Sequence, residues 1–262
     1  MELLTDTHVH VHLGFDPGRL LDAAAANFDR AAPGLSAAER LDVLCLTDVR
    51  GRQTDQYFCE TLRQAGAWRF SCAVDRDGVC AERPDGRRLH WLPGRQIVSK
   101  ENLELLALAC RYEPEDRALD LSALIDAVRD HGGVPVVPWG FGKWTGDRGR
   151  IVQRLVETRD DFLLADNGNR RRGSAFPALL EAGRRKGLGI LAGSDPLPLP
   201  AQDTRTGSYG VRAPLPQPDL SPAEAFRAAI RSRAWTIYGQ LTPPGAFWIG
   251  QVRMQIAKRW GR

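Results

Sequence analysis

Leu3-Leu4-Thr5-Asp6-Thr7-His8-Val9-His10-Val11-His12 decides how the rest of this chain is read. Strand side chains two residues apart face the same way, so His8 and His10 present two imidazoles to one point. A divalent metal takes its first two ligands readily from such a pair. His12 reaches the same rim if the strand continues that far. Three of the five histidines in 262 residues fall inside this one stretch.

Outward from it, short apolar runs alternate with helical segments. Strands are predicted at 3–8, 41–47, 69–74, 96–99, 134–137, 162–165 and 188–192. Helices are predicted near 18–32, 55–65, 121–131, 150–159 and 176–186. Asp16-Pro17 reads as a helix cap with a first-turn proline. Ser221-Pro222-Ala223-Glu224 reads as a capping box opening a helix through Arg233. Arg83-Pro84-Asp85-Gly86-Arg87 reads as a hairpin turn. The alternation argues for a parallel sheet with helices outside, and about seven units argue for a closed or nearly closed α/β barrel. A doubly wound sheet is the alternative. The proline-rich stretch 196–218 is expected to be a long ordered loop over one end.

Composition sets bounds on function. No run approaches the roughly 18–20 apolar residues of a membrane span, and Glu2, Asp6 and His8 interrupt any secretory signal. Cys45, Cys59, Cys72, Cys80 and Cys110 are odd in number with no C-x-x-C pair, which predicts reduced thiols and a cytoplasmic location. A net charge of +4 without interleaved aromatics does not single out a dedicated nucleic-acid binder. The segment from Phe247 onward is basic and amphipathic, with Trp248, Ile249, Val252, Ile256 and Trp260 at helical spacing. Its apolar stripe is expected to pack on the body, with contact to an anionic membrane surface as the alternative.

Barrels of this kind gather their functional groups at the C-terminal strand ends. Read in order, those ends carry His8 and His10, Asp48, Asp75, Gln96, Trp139, Asp166 with Asn167, and Asp195. Trp139 and Trp144 form either an aromatic wall for substrate or core filling. Lys143 can neutralise an anionic substrate, and Arg170, heading a three-arginine run, is either a phosphate clamp or a solvated loop residue.

Five motifs in order resemble the polymerase-and-histidinol-phosphatase (PHP) family. Asp6-Thr7-His8-Val9-His10 is similar to D-x-H-x-H, Leu46-Thr47-Asp48 to T-D-H, and Pro93-Gly94-Arg95-Gln96 to P-G-x-E. Gly132-Gly133-Val134-Pro135-Val136-Val137-Pro138-Trp139 is similar to G-G-x-x-x-x-A-H-P, and Gly193-Ser194-Asp195 to the closing G-S-D-x-H. The resemblance implies a distorted (β/α)7 barrel over residues 1–235, with 236–262 as a basic extension packed on it. It also implies metal-dependent hydrolysis of phosphate esters.

Departures from the pattern narrow the expectation. Val49, Gln96, Trp139 and Leu197 stand where the family carries metal ligands, which removes most donors for a second and third ion. The resemblance leaves His8, His10 and Asp195 for one divalent ion (zinc, manganese or iron), with an open position for water and with Gln96 a poor substitute for a charged bridging ligand. Asp48 or His12 then serves as base or outer partner. The expected function is a metal-dependent phosphoesterase acting on a small anionic substrate. Two other readings stay open: a non-catalytic binding or regulatory module, and an amidohydrolase-like C–N or lactone hydrolase.

Overall fold

Alternation along the first strands sets the layers of the molecule. Leu3, Val43 and Cys45 face an inner core, while Leu4, Leu44 and Leu46 face an outer one. The structure is a computed structural model describing residues 1–72, 78–115, 119–215 and 219–260. The expected strand end at Asp75 lies outside the described residues.

In chain order the first half contains β1 (Glu2–Val9), α1 (Pro17–Ala31), β2 (Arg40–Leu46), α2 (Thr54–Tyr57), β3 (Gln64–Ala65), β4 (Trp68–Cys72), β5 (Val79–Glu82), β6 (Arg88–Leu92), β7 (Gly94–Val98) and β8 (Glu104–Leu108). The second half contains α3 (Leu121–Asp130), β9 (Val134–Pro138), α4 (Gly146–Thr158), β10 (Leu163–Asn167), α5 (Ala178–Arg185), β11 (Ile190–Gly193), β12 (Tyr209–Pro214), α6 (Pro222–Ser232), β13 (Thr236–Gly239) and α7 (Pro244–Trp260). Asp16 caps α1 by accepting from the Arg19 amide, and Ser221 and Glu224 close the capping box of α6, as the sequence predicts. The Arg83–Arg87 turn joins antiparallel β5 and β6.

The strands form two sheets, and the expectation of a (β/α)7 barrel is corrected. One sheet has eight strands in the order β13-β12-β1-β2-β6-β5-β4-β3; the other has five, β11-β10-β9-β8-β7. Closure would need β1 to ladder with β11 and β2 with β7. Both edges of β1 are already taken by β12 and β2, and both edges of β2 by β1 and β6. Among the described residues no strand ladder joins the five-stranded sheet to its neighbour, and backbone meets backbone at the strand ends. There Asp195 N donates to His8 O at 2.8 Å, and Gln96 N donates to Asp48 O at 2.9 Å. The antiparallel β4–β6 and β7–β9 segments and the β12–β13 pair supply the strands that a simple βα alternation does not predict. β13 continues the large sheet with the first residues of the C-terminal segment.

Three cores follow from this layering. The inner one lies between the sheets and holds Leu3, Leu92, Leu106, Leu191, Val211 and Phe226. α1 and α2 cover the outer face of the large sheet over Phe28, Phe58, Trp68 and Trp91. α3, α4 and α5 cover the small sheet over Leu105, Ile125, Val152 and Leu180.

The expectation of five reduced thiols is also corrected. Cys59, on the π-helical turn Phe58–Leu62, and Cys72, ending β4, form a disulfide, while Cys45, Cys80 and Cys110 are free. An odd count cannot show which two thiols the fold brings together. Among the described residues no helix is long and apolar enough to cross a membrane.

One buried group makes stability depend on pH. Burial, helped by the charge of Arg88, takes His90 on β6 down to about 4. The unfolded chain binds this proton near pH 6.5 and the folded chain does not, so stability falls as pH drops from about 6.5 toward 4. At pH 4.5 the loss traceable to His90 should be about 2 kcal/mol. Urea unfolding at pH 7 and pH 4.5 should show this loss in wild type and a loss smaller by that amount in His90→Gln. Equal losses in both proteins would remove His90 as the cause.

Candidate metal centre

The end of β1 carries His8 and His10 into the seam between the sheets. Their Nε2 atoms lie 3.1 Å apart, and each is 3.2 Å from Gln96 Oε1, which arrives on β7. Asp195, just past β11, places Oδ1 3.6 Å from both nitrogens. Ligand atoms on a tetrahedral zinc shell with bonds near 2.05 Å sit about 3.3 Å apart. The histidine nitrogens stand at that spacing from one another, from Gln96 Oε1 and, slightly wider, from Asp195 Oδ1. Three neutral donors and one carboxylate leave about one positive charge on a bound dication, a mixed nitrogen–oxygen set suited to zinc, manganese or iron.

Electrostatics keep these groups ready as donors. Burial, together with the neighbouring His8 charge, takes His10 down to about 3, so its lone pair is free at neutral pH. Burial works to raise Asp195, but the positive charge of the His8 and His10 rings when protonated, with the hydrogen bond from the Asn167 amide, holds it down to about 2. Asn167 Nδ2 donates to Asp195 Oδ2 at 2.6 Å, and Asn169 Nδ2 donates to the Asp195 backbone oxygen at 2.5 Å. Asp195 itself adopts φ +46°, a left-handed conformation that turns its carboxylate toward the histidines.

Close approach at the two seams requires glycine. A Cβ on Gly193 would lie 2.3 Å from His8 Cβ, and one on Gly94 would lie 2.2 Å from Leu46 O. These are the glycines of Gly193-Ser194-Asp195 and Pro93-Gly94-Arg95-Gln96. Each precedes a metal donor by two residues, so the motif spacing reflects strand contact as well as ligand placement.

The remaining sequence-predicted residues divide into two groups. Asn167 joins the centre through Asp195, and Lys143, ion-paired with Glu104, adds positive potential there. The others are engaged nearby. Asp48 accepts from the Thr54 amide and hydroxyl, both at 2.7 Å. His12 Nε2 donates to Pro196 O at 2.9 Å and so holds the turn that follows Asp195. Asp166 and Arg170 form a buried bidentate pair that the Tyr209 hydroxyl completes. Trp139 and Trp144 pack against the core under α3 and α4.

Three contributors carry no assigned role from the sequence. Asp6 is fully buried and accepts from the His8, Ser194 and Gly207 amides and from the Ser194 hydroxyl. The same two-residue period that groups His8 with His10 also groups Asp6 with them, so this signal was legible. Asn169 and Arg205 had none. Arg205 donates to Gly168 O at 2.9 Å and Asn169 Oδ1 at 3.2 Å, and it lines a cavity of about 320 Å3 with Leu197, Thr242 and Phe247. A second cavity, about 380 Å3, opens on the Gln96 side between Arg50, Arg95 and Glu113.

No protein-family model and no curated protein matches this chain. Among solved structures, PsfC from Pseudomonas syringae PB-5123 is similar at 17% identity with a TM-score of 0.61, over 97% of this chain and 98% of that one. A two-domain protein from Bacteroides vulgatus ATCC 8482, containing a predicted PHP-like metal-dependent phosphoesterase, matches at 13% identity with a TM-score of 0.46, over 92% of this chain and 65% of that one. The likeness to PsfC is one of fold. In this chain His8, His10 and Asp195 form a possible metal-binding group.

Proposed function

We propose that this protein is a metal-dependent hydrolase, specifically a phosphoesterase acting on a small anionic substrate. The observation that carries this reading is the convergence of His8, His10 and Asp195 within one ligand-sized space at the sheet seam, with Gln96 as a fourth donor. When bound there, a divalent ion supplies a Lewis acid for a phosphoryl oxygen and lowers the pKa of water toward neutrality. The chain's own residues do the rest. Asn167 and Asn169 orient Asp195, and His12 positions the turn behind it. Asp6 holds the His8 backbone against Ser194, and Lys143 raises the local positive potential for an anion. Arg205 lines one cavity, and Arg50 and Arg95 line the other, where an anionic substrate would compete with Glu113 for their guanidinium groups.

The replacement of expected donors by Val49, Gln96, Trp139 and Leu197 favours the rival reading, a binding module without turnover. The test is to strip the protein with a chelator, reload zinc, manganese or iron(II), and assay phosphomonoesters beside amides and lactones. The proposal expects phosphoester hydrolysis that needs the ion and disappears in Asp195→Asn. An ion that binds without any turnover would support the binding module, and amide or lactone hydrolysis alone would place the chemistry in the amidohydrolase class.

A further inference from the structure

We propose that α7 docks this protein on an anionic lipid surface through its outward face. Trp248, Ile249, Val252 and Ile256 are 52–57% exposed. At 3.6 residues per turn these four fall within an arc of about 100°. The opposite side of the helix faces the body: Phe247 is buried, and Ala246, Gly250 and Gln251 line the cavity beside Asn169 and Leu197. The helix is thus anchored by one face while its more apolar face looks outward. Phe141, 58% exposed, stands beside the helix, its ring edge-to-face with the buried Phe247 ring at 5.3 Å.

Charge selects the occupant. The whole chain carries a net +4, and residues 244–262 contain Arg253, Lys258, Arg259 and Arg262 with no acidic residue. The rest of the chain therefore sums to zero, and the excess sits entirely on the segment with the exposed apolar arc. Arg253 is exposed beside that arc. Nearby, the Arg172 amide donates to Thr242 O at 2.8 Å and its Nη1 to Gln240 Oε1 at 3.0 Å, which brings the arginine run to the entrance of α7. A second copy of the chain would set two such cationic segments against each other. An anionic bilayer instead satisfies both features, taking up the apolar arc and attracting the cations.

Flotation of the full chain with vesicles tests this, using phosphatidylcholine alone and phosphatidylcholine mixed with phosphatidylglycerol. The expected result is binding to the mixed vesicles only, weakening as salt is raised. Trp248→Ser/Val252→Ser and Arg253→Glu should each bind about tenfold more weakly with unchanged thermal midpoints. Because these side chains are exposed, loss of binding would not reflect unfolding. Absence of binding to either vesicle, or equal binding by the variants, would overturn the proposal. So would a wild-type dimer in gel filtration that Trp248→Ser/Val252→Ser converts to monomer.

Discussion

Replacing His8 and His10 together with alanine should empty the metal centre and cut hydrolysis about a thousandfold. The two imidazoles supply half of the converging donors, and Gln96 with Asp195 cannot hold a dication against water on two oxygens alone. Loss of the ion removes Lewis-acid stabilisation worth several kcal/mol, and about 4 kcal/mol corresponds to that rate factor. Plasma mass spectrometry on tag-free protein is the primary readout. Wild type should carry near-stoichiometric zinc, manganese or iron and the double variant none. A variant that keeps its ion would place the metal elsewhere. A wild type that stays empty after supplementation would end the hydrolase reading.

The second large effect concerns stability. Asp6→Ala should destabilise the fold by about 4 kcal/mol, because it leaves the buried amides of His8, Ser194 and Gly207 and the Ser194 hydroxyl without their acceptor. In a chain of this length that corresponds to a fall of about 10 °C in thermal midpoint. Asp6→Asn should lie between. Its oxygen can keep the His8 and Ser194 amides, but its amide nitrogen then meets the Gly207 N–H, donor against donor. Thermal unfolding of metal-free protein separates this effect from ligand loss. A cost below about 1 kcal/mol for Asp6→Ala would show that water replaces the carboxylate and that the seam is not held by it.

Local rules read much of the molecule. Capping at Asp16 and Ser221, the turn at Arg83–Arg87 and the pairing of His8 with His10 depend on spacings of a few residues, where backbone geometry leaves few choices. The helix expected over 55–65 is instead the short α2 followed by a π-helical turn, whose Cys59 is bonded to Cys72 on β4. Asp48 offered both a cap and a catalytic role to the sequence, and the structure shows its carboxylate engaged by Thr54. The apolar stripe of α7 was legible, but its expected packing on the body is corrected: Trp248, Ile249, Val252 and Ile256 are exposed, and the body takes Phe247 instead.

Residue order therefore settled the strand-end imidazoles, the helix caps and the β5–β6 turn, which follow from spacing along one element, while the run from β3 to β8 broke the expected alternation of strands and helices. The two-sheet architecture and the convergence of the donors came from tertiary pairing. β12 and β6 occupy the edges that a barrel would have needed, and that choice depends on strands far apart in the chain. Gln96 and Asp195 reach the histidines only because Gly94 and Gly193 let the two sheets touch at their ends. Periodicity says which face a side chain takes, but a seam exists only where two separately built sheets leave room for backbone to meet backbone.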